Sequence, residues 1–430
     1  MKSENQEGNG MREQFLTLER GLDDESLRAA VDRAYEDEWD RWRRVLLVVP
    51  DGTRRHSKAG FLACHLYRRL PHCRVDVLEA LGTHAPMSRE TCAQLYPDIP
   101  FDRFIAHDWR QDVVRLGEVP AGFVAEVSQG RMEQPVPVEV NRLLLSDYDR
   151  ILSIGQVVPH EVAGMANHAK NLFVGCGGAG TINATHMLGA LCDMERVMGR
   201  EDTPVRRVFD EALRRFLPSA PVSWLLSVTT ARGDDITVHG LFLSDGREGF
   251  RRAAALAREK NVIFVDRPLT RAVVHLDERE FQSAWLGNKA VYRTRMAMAD
   301  GGELIILAPG VARFGEDAQA DRLIRRYGYV GRDAVLRLCD RHEDLRSNLS
   351  AAAHLIHGSS EGRFRITYCT DRLSREEVEG VGFGYLPYQS AARRYGPPDA
   401  GDGWQALPDG ETFYRISNPA LGLWALRGRL

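Results

Sequence analysis

His160, Lys170 and His186 lie in one stretch, HEVAGMANHAKNLFVGCGGAGTINATH, with the lysine between the two histidines. Imidazole moves protons near neutral pH or binds a borderline metal. A lysine amine can form a covalent bond to a carbonyl-type carbon. The stretch is rich in Gly and Ala, so its backbone can approach a bound group closely. One short segment therefore carries residue types for metal ligation, proton transfer and covalent attachment. By type alone, the two histidines are interchangeable.

The surrounding elements must bring further groups to this segment. Val45 to Val49 is a short apolar run that suits a buried parallel strand, and Asp51, Thr53 and Arg54 follow it directly. Val75 to Leu81 reads as a second strand, ending at Gly82 and His84. Asp102 to Ala106 reads as a third, ending at His107 and Asp108, and Asp149 to Ile154 as a fourth, just before Gln156 and His160. Polar residues thus recur beyond the carboxyl ends of strands, where open α/β sheets bind ligands. Lys58 to Arg69 reads as a helix, and Ser88 with Glu90 and Thr91 as a helix start. Residues 13–44 read as helical.

The second half repeats the rhythm. Ile236 to Leu243, Val262 to Val265, Glu303 to Ala308 and Phe364 to Cys369 read as strands. Gly249 to Glu259 and the segment FQSAWLGNKAVYRTR read as helices, the latter broken by Gly301-Gly302. The expected class is α/β: two domains with mainly parallel sheets flanked by helices and an active site in the cleft between them. The expected division is 1–12 disordered, 13–265 a first domain, 266–404 a second, with Arg267-Pro268 as the hinge and the tail 405–430 packing back on the first domain.

Composition excludes several classes. Hydrophobic content of 43% and charged content of 27% over 430 residues are those of a globular protein of two to three domains. A net charge of −3 with well-mixed signs supports neither a nucleic-acid nor a membrane partner. The polar start MKSENQEGNGMREQ has no apolar signal core, so a cytoplasmic location is expected. Seven cysteines without a CxxC pair fit a reduced compartment and argue against a thiolate zinc site.

Taken together, the motifs resemble those of the nickel-dependent lactate racemase family, whose cofactor is a nickel-pincer nucleotide. The family's Asp-x-Thr-Arg appears as Asp51-Gly52-Thr53-Arg54, its Gly-x-His as Gly82-Thr83-His84, and its long motif as Pro159-His160, Ala163-Gly164 and Lys170. Its last histidine falls at His186, and its Lys-Ala before an apolar strand at Lys289-Ala290. The resemblance implies that the first domain binds the cofactor. It implies that Lys170 tethers the cofactor covalently, His186 ligates nickel, and His84 and His160 form the acid/base pair. It further implies that Arg54 holds the substrate carboxylate, Lys289 reaches the substrate from the second domain, and Asp51 and Thr53 shape the cofactor pocket. His168, beside Lys170, is expected to contact the cofactor. The implied partners are a 2-hydroxy acid and the proteins that make the cofactor.

These residue types suit the implied chemistry. A C–H bond beside a carboxylate is a poor acid, so inverting a carbinol carbon through hydride loss avoids a carbanion. No side chain accepts hydride, so a cofactor must. The protein then needs bases for the hydroxyl proton and a fixed cation for the carboxylate. Two departures stand out. Where the family has two glycines before the lysine, this chain has Asn167 and His168, and where the family tends to have Gln, three residues before the second lysine, it has Leu286. The second departure points away from lactate, toward a larger 2-hydroxy acid such as a sugar acid. Two other readings stand beside this one. Gly175-Cys176-Gly177-Gly178-Ala179-Gly180 matches a dinucleotide-binding GxGxxG with Asp193 further on, as in an NAD-dependent 2-hydroxy acid dehydrogenase. A ligand-binding paralogue without turnover is the third reading.

Overall fold

Val45 to Val49 are all buried, and they divide between two layers. Val45, Leu47 and Val49 pack on one face of their sheet, Leu46 and Val48 on the other. A strand covered on both sides needs no polar alternation, which is why it reads as a continuous apolar run. The computed structural model describes residues 11–232, 235–396, 401–420 and 422–430.

The sheet built on this strand has seven strands. Their spatial order is Gln14–Thr17, Asp235–Ser244, Val222–Arg232, Arg150–Gln156, Arg44–Pro50, Arg74–Ala80 and Phe104–Ala106. The last five run parallel, and the first two are antiparallel additions. From Arg44–Pro50 the chain moves to Arg74–Ala80 on one side and later returns to Arg150–Gln156 on the other. That reversal is a topological switch point, and ligands bind beyond the carboxyl ends of the strands beside it. Asp51, His84 and His160 all follow those three strands.

A second sheet of six strands covers the other half. Its order is Gly384–Leu386, Arg365–Cys369, Met298–Leu307, Leu269–His275, Thr412–Ile416 and Gly403–Ala406. All neighbours are parallel except the last pair. The α/β class with mainly parallel sheets flanked by helices therefore holds. Among the described residues, no helix is long and apolar enough to cross a membrane, and all seven cysteines are free.

Several elements differ from the sequence reading. Residues 13–44 are not one helix: Gln14–Thr17 is a strand and the helix is Asp24–Ala34, capped by the Asp23 carboxylate, which accepts from Ser26 N–H at 2.8 Å. Phe15 and Leu16 pack into opposite layers, a strand's two-residue period that charged neighbours obscured. The antiparallel pair Val113–Val119 and Val136–Asn141 went unread. Gly301-Gly302 does not break the helix, which ends at Thr294; Gly301 sits within the strand Met298–Leu307 in a left-handed conformation, φ +76°. Most of residues 1–12 lie outside the described residues; Arg12 itself pairs with Glu36 and Asp37. Of the tail, Gly403–Ala406 and Thr412–Ile416 complete the second sheet, while Leu423–Leu426 pairs with Val262–Val265.

Candidate active site

The turns after the three strands and the Lys170 segment converge on one cavity of about 1300 Å³, counting its open mouth. From the first half it is lined by Asp51, Arg54, Gly82, His84, His160, Glu161, Lys170, Asn171 and His186. The other wall consists of Trp285, Leu286, Lys289, Tyr292, His354 and His357. Seven of the nine expected site residues therefore meet. Thr53 stands just outside, and His168 points elsewhere.

The Asp51 side chain is divided between two partners. Its Oδ1 accepts from Thr53 N–H at 2.8 Å and Thr53 Oγ1–H at 2.6 Å, and its Oδ2 lies 2.6 Å from His84 Nδ1. Burial works to raise the Asp51 carboxyl, but His84, Arg54 and Thr53 outweigh it and hold the group ionised, well below its usual range. An ionised carboxylate can only accept, so His84 donates from Nδ1, and in the neutral ring the lone pair lies on Nε2. Asp51 and Thr53, expected as cofactor contacts, thus orient His84.

His160 has the opposite polarity. Its Nδ1 accepts from the backbone N–H of Val162 at 3.1 Å, so the neutral ring carries its proton on Nε2. Burial, with Lys170, Arg54 and His186 nearby, drives its pKa well below the ordinary 6.5. The two histidines expected as the acid/base pair are therefore one acceptor and one donor.

Lys170 opens a single π-helical turn, Asn171–Gly175, closed by Cys176 N–H on Asn171 O at 2.9 Å. Burial and the Arg54 charge lower its amine to about 8, which raises the unprotonated, nucleophilic fraction at neutral pH. His186 lies on the helix Ala179–Leu191, where its Nδ1–H donates to Ile182 O at 2.7 Å. Burial pushes its pKa down to about 4. A neutral imidazole with Nδ1 fixed on a carbonyl and Nε2 free is in the form that ligates metals. Among the described residues, no three His, Cys, Asp or Glu side chains group to hold a metal alone. His186 could serve as one ligand beside the donors of a bound group. The residues present thus fit a tethered nickel-pincer nucleotide: an activated lysine and a poised imidazole face one cavity.

Asn167 and His168 both adopt left-handed conformations, φ +67° and +56°, so the backbone that glycines would favour is kept without them. Such residues cost about 1–2 kcal/mol each relative to the ordinary helical region. Arg206 compensates. Fully buried, it donates to Met165 O at 2.6 Å and Asn167 O at 3.2 Å, and its guanidinium lies 4.4 Å from the Phe250 ring centre. The turn sends the His168 ring away from the cavity to pack 4.3 Å from Trp224 and 5.1 Å from Phe250, centre to centre. His168 is therefore a packing residue and not the expected cofactor contact. Arg206→Met should cost about 2–4 kcal/mol in urea unfolding, since charge-assisted bonds to two buried carbonyls are lost. Arg207→Met, which breaks the exposed pair with Asp202, should cost under about 1 kcal/mol.

The glycine run serves the fold. A Cβ on Gly177 would sit 1.9 Å from Phe173 O, and one on Gly178 would sit 2.4 Å from a Glu139 carboxylate oxygen. That carboxylate accepts from Gly180 N–H at 2.8 Å, filling the helix N-terminus where a dinucleotide's pyrophosphate would bind. The segment before it is a π-helical turn, not the strand a dinucleotide fingerprint requires.

Sequence reasoning missed Glu161, Trp285, Tyr292, His354 and His357. Glu161 had a signal, its place directly after the strand-end pair Pro159-His160. The His354 ring stacks 3.9 Å from Trp285, with Tyr292 and Tyr329 hydroxyls on its two nitrogens at 3.0 Å. No motif marked these residues, which the second half brings from distant segments.

Residues 22–199 match the model of a family described as the lactate racemase N-terminal domain. This segment carries Arg54, Lys170 and the three site histidines of the first half. The whole chain is similar to a crystal structure of a Thermotoga maritima protein, with 26% identity, a TM-score of 0.82, and coverage of 96% of this chain and 100% of that one. It also shares the fold of the lactate racemase apoprotein from Thermoanaerobacterium thermosaccharolyticum, with 15% identity, a TM-score of 0.70, and coverage of 93% and 92%. No curated protein matches the sequence.

Proposed function

We propose that the protein is an isomerase, a racemase or epimerase that inverts C2 of a 2-hydroxy acid larger than lactate. One observation carries the reading. A single cavity holds one histidine poised to accept a proton and one poised to donate a hydrogen bond, beside Arg54, Lys170, His186 and Lys289. Lys170 would hold a nickel-pincer nucleotide covalently and His186 would ligate its metal, the cofactor being delivered by separate maturation proteins. When bound, that group supplies the hydride acceptor that no side chain provides.

Arg54 offers a planar fork to the substrate carboxylate and keeps C2 in place. Lys289, lying in the opposite wall, adds a second cation. His84 Nε2 takes the hydroxyl proton as C2 gives up its hydrogen with the bonding pair, leaving a 2-keto acid. Asp51 fixes the His84 tautomer and stabilises the imidazolium formed. His160 Nε2–H donates to the oxygen as its charge develops, the work of a neutral imidazole held so by burial. With its carboxylate still on Arg54, the 2-keto acid turns about its C1–C2 bond and presents the other face, and return of the hydrogen to that face and of a proton to oxygen completes the inversion with nothing consumed.

This division of labour has a direct test. With cofactor bound, His84→Ala should lower kcat by about 10²–10⁴. His160→Gln keeps an N–H donor and should retain roughly ten times the kcat of His160→Ala. Equal loss in the two His160 variants would instead mean that His160 moves a proton itself. The assay follows C2 configuration by NMR.

A further inference from the structure

Glu161 directly follows His160 and faces the cavity. Its Oε2 lies 3.9 Å from His160 Nδ1, beyond hydrogen-bonding distance, and that nitrogen is already taken by Val162 N–H. Among the described residues, no side chain donates a hydrogen bond to its carboxylate, which takes one from its own backbone N–H. Burial works to raise the group, but the Arg293 charge, its own backbone N–H and the Lys289 charge hold it ionised. Its charge reaches both walls, acting on Lys170 and His186 on one side and on His354 and His357 on the other.

The Glu161 side chain is 22% exposed and lines the cavity, so its free acceptor sites are within a substrate's reach. Arg54 suits the substrate's own carboxylate, and His84 and His160 suit the C2 oxygen. Neither role uses Glu161. Leu286 cannot read a polar substituent, so polar recognition beyond C2 falls to other residues of the cavity.

We propose that Glu161 accepts hydrogen bonds from hydroxyl groups beyond C2, so that the site selects polyhydroxylated monocarboxylates. A second carboxylate in that place meets like charge, and an alkyl group leaves Glu161 unsatisfied. The inference rests on the C2-inversion reading and names its substrate class.

The test compares three substrates on the cofactor-loaded protein: a six-carbon aldonate, 2-hydroxybutyrate and malate. Wild type should show the highest kcat/KM on the aldonate and the lowest on malate. Glu161→Ala should lower aldonate kcat/KM about 10- to 100-fold, as expected for a lost bond to a charged group. It should change 2-hydroxybutyrate less than about threefold and raise malate. Calorimetric titration of the aldonate into cofactor-free wild type and Glu161→Gln should show a parallel loss of binding. Equal losses on all three substrates would assign Glu161 to balancing Arg293 and overturn the proposal, as would a wild-type preference for malate. If no substrate inverts, the C2-inversion reading fails. The calorimetric arm then decides separately: weaker aldonate binding by Glu161→Gln upholds its role, and unchanged binding ends it.

Discussion

Lys170→Ala, expressed with the cofactor-making proteins, is expected to fold, to show the bare chain mass and to have no turnover. The wild type from the same cells should carry an added covalent mass and bound nickel. The size of the effect follows from where the chemistry lies. The hydride step has no side-chain acceptor, so losing the tether removes the reaction rather than slowing it. Lys170 is suited to the tether because burial and Arg54 lower its amine to about 8, where neutral amine is available at physiological pH. Intact-mass and metal analysis of both proteins check this. Retained mass at another residue, or turnover without added mass, would remove Lys170 from its role.

The second large effect is on stability. The apoprotein is expected to lose most of its stability between pH 7 and pH 5. Burial lowers His354 and His357 from 6.5 to about 3, and His275 to about 4, with Arg415 adding to the last. Each ring stays neutral in the fold and takes a proton on unfolding below pH 6.5. The unfolded state then binds more protons, so stability is fully present above about pH 6.5 and falls as pH drops toward the folded values near 3–4. Linkage gives about 2 kcal/mol per such ring between pH 7 and 5. Three rings together remove an amount comparable to the whole stability of a typical domain, about 5–15 kcal/mol. Asp51 and Glu161, held ionised in the fold, add to the loss only at lower pH. Urea midpoints at pH 7 and pH 5 measure the effect. His275→Gln should flatten the dependence, and an unchanged slope would mean that the ring is hydrated in the folded protein.

What the sequence made legible followed from chain proximity. Asp51, His84 and His160 each lie within a few residues of a strand that reads as buried, and a parallel sheet gathers such ends at one edge. Lys170 and His186 belong to the same local unit. The second wall had no comparable signal. His354 and His357 sit on the helix Leu349–His357, and only the packing of that helix on Ala179–Leu191 brings them to His186. His168 was misread because direction is not spacing. Two successive left-handed residues turn its ring into the core, and only the backbone shows it. The roles of Asp51 and Thr53 were hidden for a related reason, since motif membership does not reveal which oxygen meets which partner. The difference between His84 and His160 depends on single hydrogen bonds to Nδ1, below what residue type can show.

The central claim is inversion at C2 with the hydrogen carried as hydride. It is tested most directly by incubating the cofactor-loaded protein with one C2 epimer of a polyhydroxy acid in D₂O and following C2 by NMR. The account predicts conversion to the other epimer with protium retained at C2, because the hydrogen leaves and returns without meeting solvent. Inversion with deuterium appearing at C2 would contradict it, as would no inversion of any 2-hydroxy acid by protein shown to carry the cofactor.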